Sequence, residues 1–352
     1  MREDVKNLID KLETEHRLDR EEYYVLITHR DEEAAEYLFN KSLKMREKYY
    51  GRDVYIRGLI EFTNYCKNDC LYCGIRCSNR KLDRYRLTKE QILSCCEQGY
   101  KLGFRTFVMQ GGEDPYFTDE RLTDIISEIK ERYPDCAVTL SIGERSKESY
   151  QKLFDAGADR YLLREETVNG ELYGKLHPSN MSLKNRLECL NNLKEIGFQV
   201  GCGFMVEPPY QTTDTLIDDL LFVQDFKPHM IGVGPYIPHK DTPFADKKTG
   251  SAELTLFILG ILRLALPYVL LPATTALGTA EASGREKGML AGANVVMPNL
   301  SPLDVREKYL LYNNKIATGD EAAESLANLK MHMKAIGFNV VVDRGDSKLN
   351  SL

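Results

Sequence analysis

The chain has 352 residues, of which 43% are hydrophobic and 28% are charged. This mixture is typical of a folded globular protein, and it excludes a disordered chain, a collagen and a fibrous repeat. The net charge of −6 and the pI of about 5.7 leave no basic surplus of the kind that nucleic-acid-binding domains carry, so we expect no nucleic-acid partner.

The N-terminal segment is charged from its second residue, which predicts that no secretory signal is present. In a reducing compartment, nine cysteines indicate metal ligands, redox groups or buried apolar residues rather than a disulfide framework. One long apolar stretch, residues 254–271, is divided by Arg263 and Pro267. It predicts a buried helix that leads into a buried strand rather than a membrane span. We therefore expect a cytoplasmic protein with no membrane partner.

In chain order, the first 50 residues have apolar residues at helical spacing and predict amphipathic helices. From residue 54 onward, short β-branched or aromatic runs alternate with helical segments. The eight predicted strands are residues 54–62, 106–110, 137–141, 160–163, 199–204, 230–234, 269–273 and 294–297. Several helices have predicted N-terminal caps, which are the capping box of Thr88 with Gln91, and the N-caps Ser146, Ser182 and Thr213.

Eight strands that alternate with helices predict an α/β fold, a complete (β/α)8 barrel of the TIM type. An open doubly wound sheet is the alternative, because the alternation of elements does not show closure. We predict an N-terminal helical extension over residues 1–50, the barrel over residues 51–300, and a short C-terminal extension near the top of the barrel over residues 301–352. Catalytic residues are then expected after the carboxyl ends of the strands.

Three cysteines follow the first predicted strand with the spacing C-x3-C-x2-C, and they are Cys66, Cys70 and Cys73. Three thiolates so close together can surround one soft metal centre, either iron–sulfur or zinc. A 4Fe–4S cluster usually takes four cysteines, so a set of three leaves one iron free for another ligand. A structural zinc site is the alternative, although no second pair of ligands appears downstream. Cys77 is predicted to lie outside the metal centre.

This spacing, with Tyr72 before the last cysteine, resembles the cluster motif of the radical SAM superfamily. The segment Gly111, Gly112 and Glu113 at the end of the second strand resembles the segment of this family that holds the amino group of S-adenosylmethionine (SAM). The resemblance implies a 4Fe–4S cluster whose open iron binds SAM, and an electron that cleaves SAM to a 5′-deoxyadenosyl radical. It also implies an electron donor of the ferredoxin or flavodoxin type.

Within this superfamily, the barrel segment resembles the HydE branch, the maturases of the [FeFe]-hydrogenase active site, with methylornithine synthase and biotin synthase as relatives. The segments that carry the resemblance are 60–62 (IEF), 111–116 (GGEDPY), 156–163 (AGADRYLL), 164–167 (REET), 185–187 (NRL), 236–243 (YIPHKDTP), 271–279 (LPATTALGT), 284–286 (GRE) and 292–299 (GANVVMPN). Residues 271–279 discriminate most, because they point to HydE rather than to its relatives.

The resemblance also implies roles for residues after the later strands. Glu166 would bind the ribose or the amino end of SAM, and Arg186 would bind its carboxylate. An anionic substrate would be held mainly by a guanidinium and two hydroxyls. The implied substrate-binding residues are Arg164, Thr274 and Thr275, with Thr139, Tyr309 and Tyr312 as further candidates. The plain alternatives are a salt bridge between Arg164 and Glu166 at the rim, and two threonines that merely end a strand.

Three departures from the family pattern keep other functions open. Residues 207–210 (EPPY) replace a glycine-rich turn; Gly111 and Glu165 stand where HydE sequences often have Ser and His; and residues 315–352 contain no cysteine, so we predict one cluster. The sequence therefore predicts a maturase that acts on a small-molecule or organometallic substrate, alongside other hydrogenase maturation proteins. The alternatives are a HydE-like paralogue or a methylornithine-synthase-like mutase acting on an amino-acid-derived substrate, and a non-catalytic iron–sulfur carrier.

Overall fold

The computed structural model describes residues 1–316 and 322–351. The described strands are β1 (Asp53–Ile56), β2 (Gly58–Thr63), β3 (Thr106–Gly111), β4 (Ala137–Ser141), β5 (Arg160–Leu162), β6 (Gln199–Cys202), β7 (Met205–Val206), β8 (Met230–Ile231), β9 (Gly234–Pro235), β10 (Val295–Val296) and β11 (Asn339–Val341). The described α-helices are α1 (Glu3–Glu15), α2 (Arg20–Thr28), α3 (Glu32–Tyr50), α4 (Lys89–Leu102), α5 (Asp119–Arg132), α6 (Lys147–Asp155), α7 (Gly170–Leu176), α8 (Leu183–Ile196), α9 (Thr213–Phe226), α10 (Ala252–Ala265), α11 (Thr275–Ala280), α12 (Gly284–Leu290), α13 (Leu303–Arg306) and α14 (Ala322–Ala335).

The helices begin where their caps predict, with one exception. Thr88 and Gln91 form the predicted capping box of α4, and Ser146 and Ser182 cap α6 and α8. The predicted N-cap Thr213 is wrong by one residue. Thr212 has the extended backbone that an N-cap needs, and its hydroxyl accepts a hydrogen bond from the Thr215 N–H at 3.3 Å.

Six parallel strands form a continuous sheet in the order β2-β3-β4-β5-β6-β8. Five of these six strands follow one another directly in the sheet order and are separated in sequence by helices, which is the topology of β/α units. The strands are buried on both faces, as expected when helices cover the outer face and side chains fill the inner face.

Backbone hydrogen bonds close this sheet into the predicted barrel. On one side of the gap, the Ile231 N–H of β8 donates to the Leu270 carbonyl at 3.0 Å. The Ala273 N–H then donates to the Val295 carbonyl of β10 at 2.9 Å, and Val295 pairs in parallel register with Tyr55 of β1. The segment 270–273 and β10 thus supply the seventh and eighth strands of the barrel. The prediction of a complete barrel is confirmed.

Helix α10 accounts for the long apolar stretch of the sequence. All but its first two residues are buried, and it packs against α3 and α1 of the N-terminal helices. Within residues 1–316 and 322–351, no helix is long and apolar enough to cross a membrane.

The C-terminal extension lies at both ends of the barrel. Near the top, the carbonyl of Leu311 accepts a hydrogen bond from the Gly74 N–H at 2.9 Å. Further along, β11 adds to the amino-terminal part of β1, and the buried guanidinium of Arg160 donates to the Arg344 carbonyl at 2.9 Å. The contact of Leu311 therefore lies near the top of the barrel, whereas β11 lies beside the start of β1.

Candidate active site

A cavity of about 330 Å³ opens at the carboxyl ends of the strands. Its volume is within the range of small-molecule sites, which are typically about 300–1,000 Å³. It is lined by fourteen of the fifteen residues that the sequence singles out, namely Cys66, Cys70, Tyr72, Cys73, Gly111, Gly112, Glu113, Arg164, Glu166, Arg186, Thr274, Thr275, Tyr309 and Tyr312.

Thr139 is the predicted site residue that the structure places elsewhere. It lines a separate space of about 10 Å³ deeper in the barrel, beside Arg57 and Arg160. Ser141, two residues further along β4, lines the main cavity instead. Alternate residues of a strand face the same side, so Thr139 has the predicted direction but lies one layer too deep.

The cysteine loop, which we define as residues 64–79, is held by backbone hydrogen bonds to neighbouring segments. The Lys67 N–H donates to the Glu113 carbonyl and the Leu71 N–H donates to the Leu176 carbonyl, both at 2.9 Å. Within the loop, the Cys77 N–H donates to the Asn68 carbonyl, also at 2.9 Å. These contacts anchor the loop to the segment after β3 and to the last residue of α7. Within the loop, Cys66, Cys70 and Cys73 line the cavity.

The chemistry of the three thiols fits an iron–sulfur cluster. Burial raises the pKa of Cys66 and Cys70, and it raises the pKa of Cys73 to about 12. A cationic metal centre would stabilise the thiolate forms and displace these protons. No three His, Cys, Asp or Glu side chains in the described parts of the chain converge on one ion. In a 4Fe–4S cluster each thiolate binds a different iron, so its cysteines need not converge.

Gly112 lies where the end of β3 meets the cysteine loop. A Cβ atom at this position would lie 2.3 Å from the Tyr65 carbonyl oxygen and 2.6 Å from the Cys66 Cβ. Only glycine permits this approach, because both neighbours belong to the loop itself.

We therefore expect Gly112→Ala to displace the cysteine loop and to lower the iron content after anaerobic reconstitution by more than half. The matched control is Gly174→Ala in α7, where an added Cβ meets nothing within 4 Å. Iron and sulfide analysis, with the visible absorbance of the cluster, measures both variants. Equal iron in the two variants would contradict the role assigned to Gly112.

Two carboxylates connect the loops that follow β3, β4 and β5. Glu113 accepts a hydrogen bond from the Glu144 N–H at 3.0 Å and lies 3.1 Å from the Lys67 Nζ. The Glu144 carboxylate in turn accepts from the Arg186 Nε at 2.6 Å, and the Arg186 Nη1 donates to the Arg164 carbonyl. Glu144 is absent from the sequence-based candidates, because nothing local in the sequence indicates a contact 42 residues away.

Arg164 and Glu166 form an ion pair on the cavity wall, with the Arg164 Nη2 3.0 Å from the Glu166 Oε2. This contact is the salt bridge that the sequence offers as the plain alternative for these two residues. The Arg164 Nε is buried and makes no hydrogen bond to the described residues. Burial raises the pKa of Glu166. Its φ of +63° is in the left-handed region, which a glutamate adopts at a cost of about 1–2 kcal/mol. Buried polar groups normally have hydrogen-bond partners, so the Arg164 Nε is available to a ligand.

Thr274 and Thr275, which follow the seventh strand of the barrel, differ in their contacts. The Thr274 hydroxyl accepts a hydrogen bond from the Leu277 N–H at 3.2 Å and caps α11. The Thr275 hydroxyl lies 3.5 Å from the Arg285 Nη2, a weak contact. Thr275 is therefore the freer of the two toward a ligand, while Thr274 also has a structural role.

One ion pair on the cavity wall is missing from the sequence-based candidates. The Lys315 ammonium pairs with the Glu61 carboxylate, and it also donates to the Tyr309 carbonyl at 3.0 Å. The Asn299 amide donates to the second oxygen of Glu61 at 2.9 Å. The two charged side chains are only 8% and 1% exposed. A glutamate inside the apolar strand β2 is the one sequence signal that could have indicated this pair.

Beside Glu166, a further carboxyl is buried. Glu165 accepts a hydrogen bond from the Gly203 N–H at 2.8 Å through Oε2, while its Oε1 has no partner. Burial raises the pKa of Glu165 to about 7. The folded protein thus binds this proton more tightly than the unfolded chain does. The contribution to stability is full below about pH 4.5 and is lost as the pH rises to about 7.

We expect Glu165→Gln, which imitates the protonated side chain, to remove the loss of stability that occurs as the pH rises. Relative to the unsubstituted protein, the variant should gain up to about 3 kcal/mol in unfolding free energy between about pH 5 and pH 8. Denaturant unfolding at both pH values measures the difference, and Glu171→Gln at an exposed position serves as the control. The same pH dependence in Glu165→Gln and in the unsubstituted protein would contradict the assignment.

The sequence of the chain is similar to those of known proteins. A model of the radical SAM superfamily matches residues 60–223. The chain is 43% identical over 343 residues to the [FeFe] hydrogenase maturase subunit HydE of Thermotoga maritima, which covers 97% of each chain. It is 30% identical over 307 residues to the 3-methylornithine synthase of Methanosarcina acetivorans, which covers 86% of each chain.

Solved structures agree with the fold. A crystal structure of methylornithine synthase superposes with a TM-score of 0.83 at 27% identity, covering 95% of this chain and 97% of the other. A crystal structure of HydG, a maturase of the [FeFe]-hydrogenase, superposes with a TM-score of 0.79 at 22% identity, covering 95% of this chain and 75% of the other, which shows the fold alone. The resemblance in the sequence is confirmed, and so are its cofactors, a 4Fe–4S cluster and SAM. The chain belongs to the radical SAM superfamily, within the family of HydE proteins.

Proposed function

We propose that this radical SAM enzyme is a maturase of the [FeFe]-hydrogenase active site, which acts on an organometallic precursor alongside other maturation proteins. The observation that carries the proposal is the 43% identity to a HydE protein, because it extends over 97% of both chains. The oxygen sensitivity of exposed clusters and the nine free cysteines favour the cytoplasm as its compartment.

In this proposal, Cys66, Cys70 and Cys73 hold the cluster, which supplies an open iron and an electron to SAM. Tyr72, Gly111, Gly112, Glu113, Glu166 and Arg186 would surround SAM. Their placement supports this, since Gly112 lies against the cysteine loop and the buried carboxylate of Glu166 lines the cavity. Arg186 is 7% exposed and is fixed by Glu144, so its positive charge stays at the cavity wall.

The substrate would bind beyond SAM, toward the loops that follow β5 and residues 270–273. Arg164, whose Nε makes no hydrogen bond to the described residues, and Thr275 both line this cavity. Tyr309, Tyr312 and Lys315 line the cavity from the C-terminal extension. Such a wall would limit the access of water to the reacting groups, which protects a reactive intermediate from side reactions.

A mutase of the methylornithine synthase type is the second candidate. The structure of methylornithine synthase favours this candidate, because its superposition on this chain covers 97% of the synthase with a TM-score of 0.83. The buried pair of Glu61 and Lys315 also gives the cavity one group of each charge, which suits the amino and carboxylate groups of an amino acid.

An in vitro maturation reaction from which HydE alone is omitted tests the proposal. Adding this protein, reconstituted with iron and sulfide under anaerobic conditions, should restore hydrogen evolution by the [FeFe]-hydrogenase and should release 5′-deoxyadenosine. Formation of a methylornithine from an amino acid, without restored hydrogen evolution, would establish the mutase. Restored maturation by a variant that no longer binds SAM would establish the iron–sulfur carrier instead.

A further inference from the structure

A buried histidine lies beside the cysteine loop, directly after α7. His177 is only 3% exposed, and its ring stacks on that of Tyr173, with the two centroids 3.9 Å apart and the planes inclined by 21°. The ring of Tyr72 meets the imidazole edge-on, with the centroids 5.5 Å apart and the planes inclined by 88°. His177 is therefore in contact with two aromatic rings, one of which belongs to the cysteine loop.

Both ring nitrogens of His177 have hydrogen-bond partners. The Nδ1 atom lies 3.0 Å from the backbone carbonyl oxygen of Tyr173, one helical turn earlier. The Nε2 atom lies 3.3 Å from the hydroxyl oxygen of Tyr72, which is a long hydrogen bond. These two contacts determine which nitrogen carries the proton.

The backbone carbonyl fixes the tautomer of His177. A carbonyl oxygen only accepts hydrogen bonds, so the Nδ1 atom must carry a proton and donate it. Burial lowers the pKa of His177 to about 3, so the ring is neutral and has no second proton. The Nε2 atom is consequently an acceptor, and the Tyr72 hydroxyl donates its proton to it.

This arrangement determines what the Tyr72 hydroxyl offers to a ligand. Tyr72 lies between Cys70 and Cys73 in the chain and lines the cavity together with them. Within residues 1–316 and 322–351, its hydroxyl makes no hydrogen bond other than the one to His177. A phenol has one proton, and when His177 receives that proton the oxygen keeps only its lone pairs for another group. Toward the cavity, Tyr72 is then an acceptor and not a donor.

We propose that His177 is a positioning residue for SAM binding, which holds the Tyr72 hydroxyl as an acceptor for an amino or hydroxyl group of SAM. This inference rests on the proposed function, which places Tyr72 beside SAM. SAM has such donors in its adenine, its ribose and its ammonium group, whereas a group that only accepts would find no proton at Tyr72. The pair of Tyr72 and His177 thus selects a ligand with an N–H or O–H group at this point of the cavity wall.

The test is a double-mutant cycle on the affinity for SAM. His177→Phe keeps an aromatic ring and removes both ring nitrogens, while the Tyr173 carbonyl keeps the 3.0 Å hydrogen bond from the backbone N–H of residue 177. His177→Gln restores an acceptor, because its side-chain carbonyl can receive the Tyr72 proton. Tyr72→Phe removes the hydroxyl, and the double variant combines it with His177→Phe. Equilibrium dialysis with labelled SAM measures the Kd of each reconstituted protein, and iron analysis shows whether the cluster is retained.

His29→Phe is the matched control. The His29 Nδ1 also lies near the backbone carbonyl four residues earlier, that of Val25, at 3.2 Å. His29 is exposed and does not line the cavity. We expect His29→Phe to bind SAM as tightly as the unsubstituted protein does.

We expect His177→Phe and Tyr72→Phe each to weaken SAM binding about threefold to tenfold, which is the effect of one hydrogen bond. The double variant should bind SAM no more weakly than Tyr72→Phe alone, because His177 acts through the Tyr72 hydroxyl. His177→Gln should stay within about twofold of the unsubstituted protein. Additive losses in the double variant would overturn the proposal, and so would a His177→Gln variant that binds SAM as weakly as His177→Phe.

A second measurement reads the tautomer directly. NMR of isotopically labelled histidine in the iron-free protein should show one neutral ring with its proton on Nδ1 from about pH 5 to about pH 8, and His177→Gln should remove this signal. A proton on Nε2, or a protonated ring, would overturn the assignment. The maturation reaction tests the proposed function separately. If the unsubstituted protein binds SAM but does not restore hydrogen evolution, that function is wrong and the cycle still decides the role of His177.

Discussion

Cys70→Ala should eliminate both the visible absorbance of the cluster and the formation of 5′-deoxyadenosine. With two thiolates left, the centre loses one of its three protein ligands. The effect is a complete loss rather than a reduction, because SAM binds to the open iron of the same centre. Anaerobic reconstitution followed by iron analysis and chromatography of the nucleoside products measures both results.

Cys77→Ala is the matched control, since it removes a cysteine of the same loop. Cys77 is exposed and does not line the cavity, and its backbone N–H rather than its thiol contacts the loop. The variant should therefore keep its iron and its SAM cleavage. Loss of the cluster in Cys77→Ala, or its retention in Cys70→Ala, would show that the ligands are assigned wrongly.

Arg164→Ala and Arg186→Ala should fail at different steps. Arg186 donates to the backbone carbonyl of Arg164 and not to its side chain, so truncation of Arg164 leaves the anchor of Arg186 in place. Loss of a charge-assisted substrate contact costs about 1.5–3 kcal/mol, a factor of about 10 to 150 in substrate binding. We expect Arg164→Ala to lose hydrogenase maturation while SAM affinity stays, and Arg186→Ala to weaken SAM affinity directly.

Equilibrium dialysis with labelled SAM and the maturation reaction separate these two results. Thr275→Val is a second variant on the substrate side, and it is cleaner than a change at Thr274, whose hydroxyl caps α11 and whose loss costs about 1 kcal/mol of stability. If Arg164→Ala and Arg186→Ala lose SAM affinity to the same extent, the separation of a substrate side from a SAM side is wrong.

Local signals in the sequence predicted most of the barrel. The caps at Thr88, Ser146 and Ser182 lie within a few residues of the groups that they bond, so their geometry is encoded locally. Closure of the barrel needed hydrogen bonds between Ala273 and Val295 and between β10 and β1, which no periodicity reveals.

The site residues divide in the same way. The cysteines share one short segment, so their spacing alone indicated a metal centre. The contacts of Glu144 with Arg186 and of Lys315 with Glu61 join segments that are far apart in the chain, and they stayed hidden. Thr139 shows a further limit, because alternation along β4 gives the direction of a side chain but not its depth in the barrel.

The partners of β1 have a consequence for how the protein is made. Its neighbours β10 and β11 begin at residues 295 and 339, long after the cysteines at residues 66–73 have been translated. The cysteines are therefore synthesised before the strands that complete the barrel around them. Since the barrel closes through pairing between distant segments of the chain, the complete cavity can form only after residue 296 has been synthesised. We therefore expect iron and sulfide to be inserted after the barrel has closed.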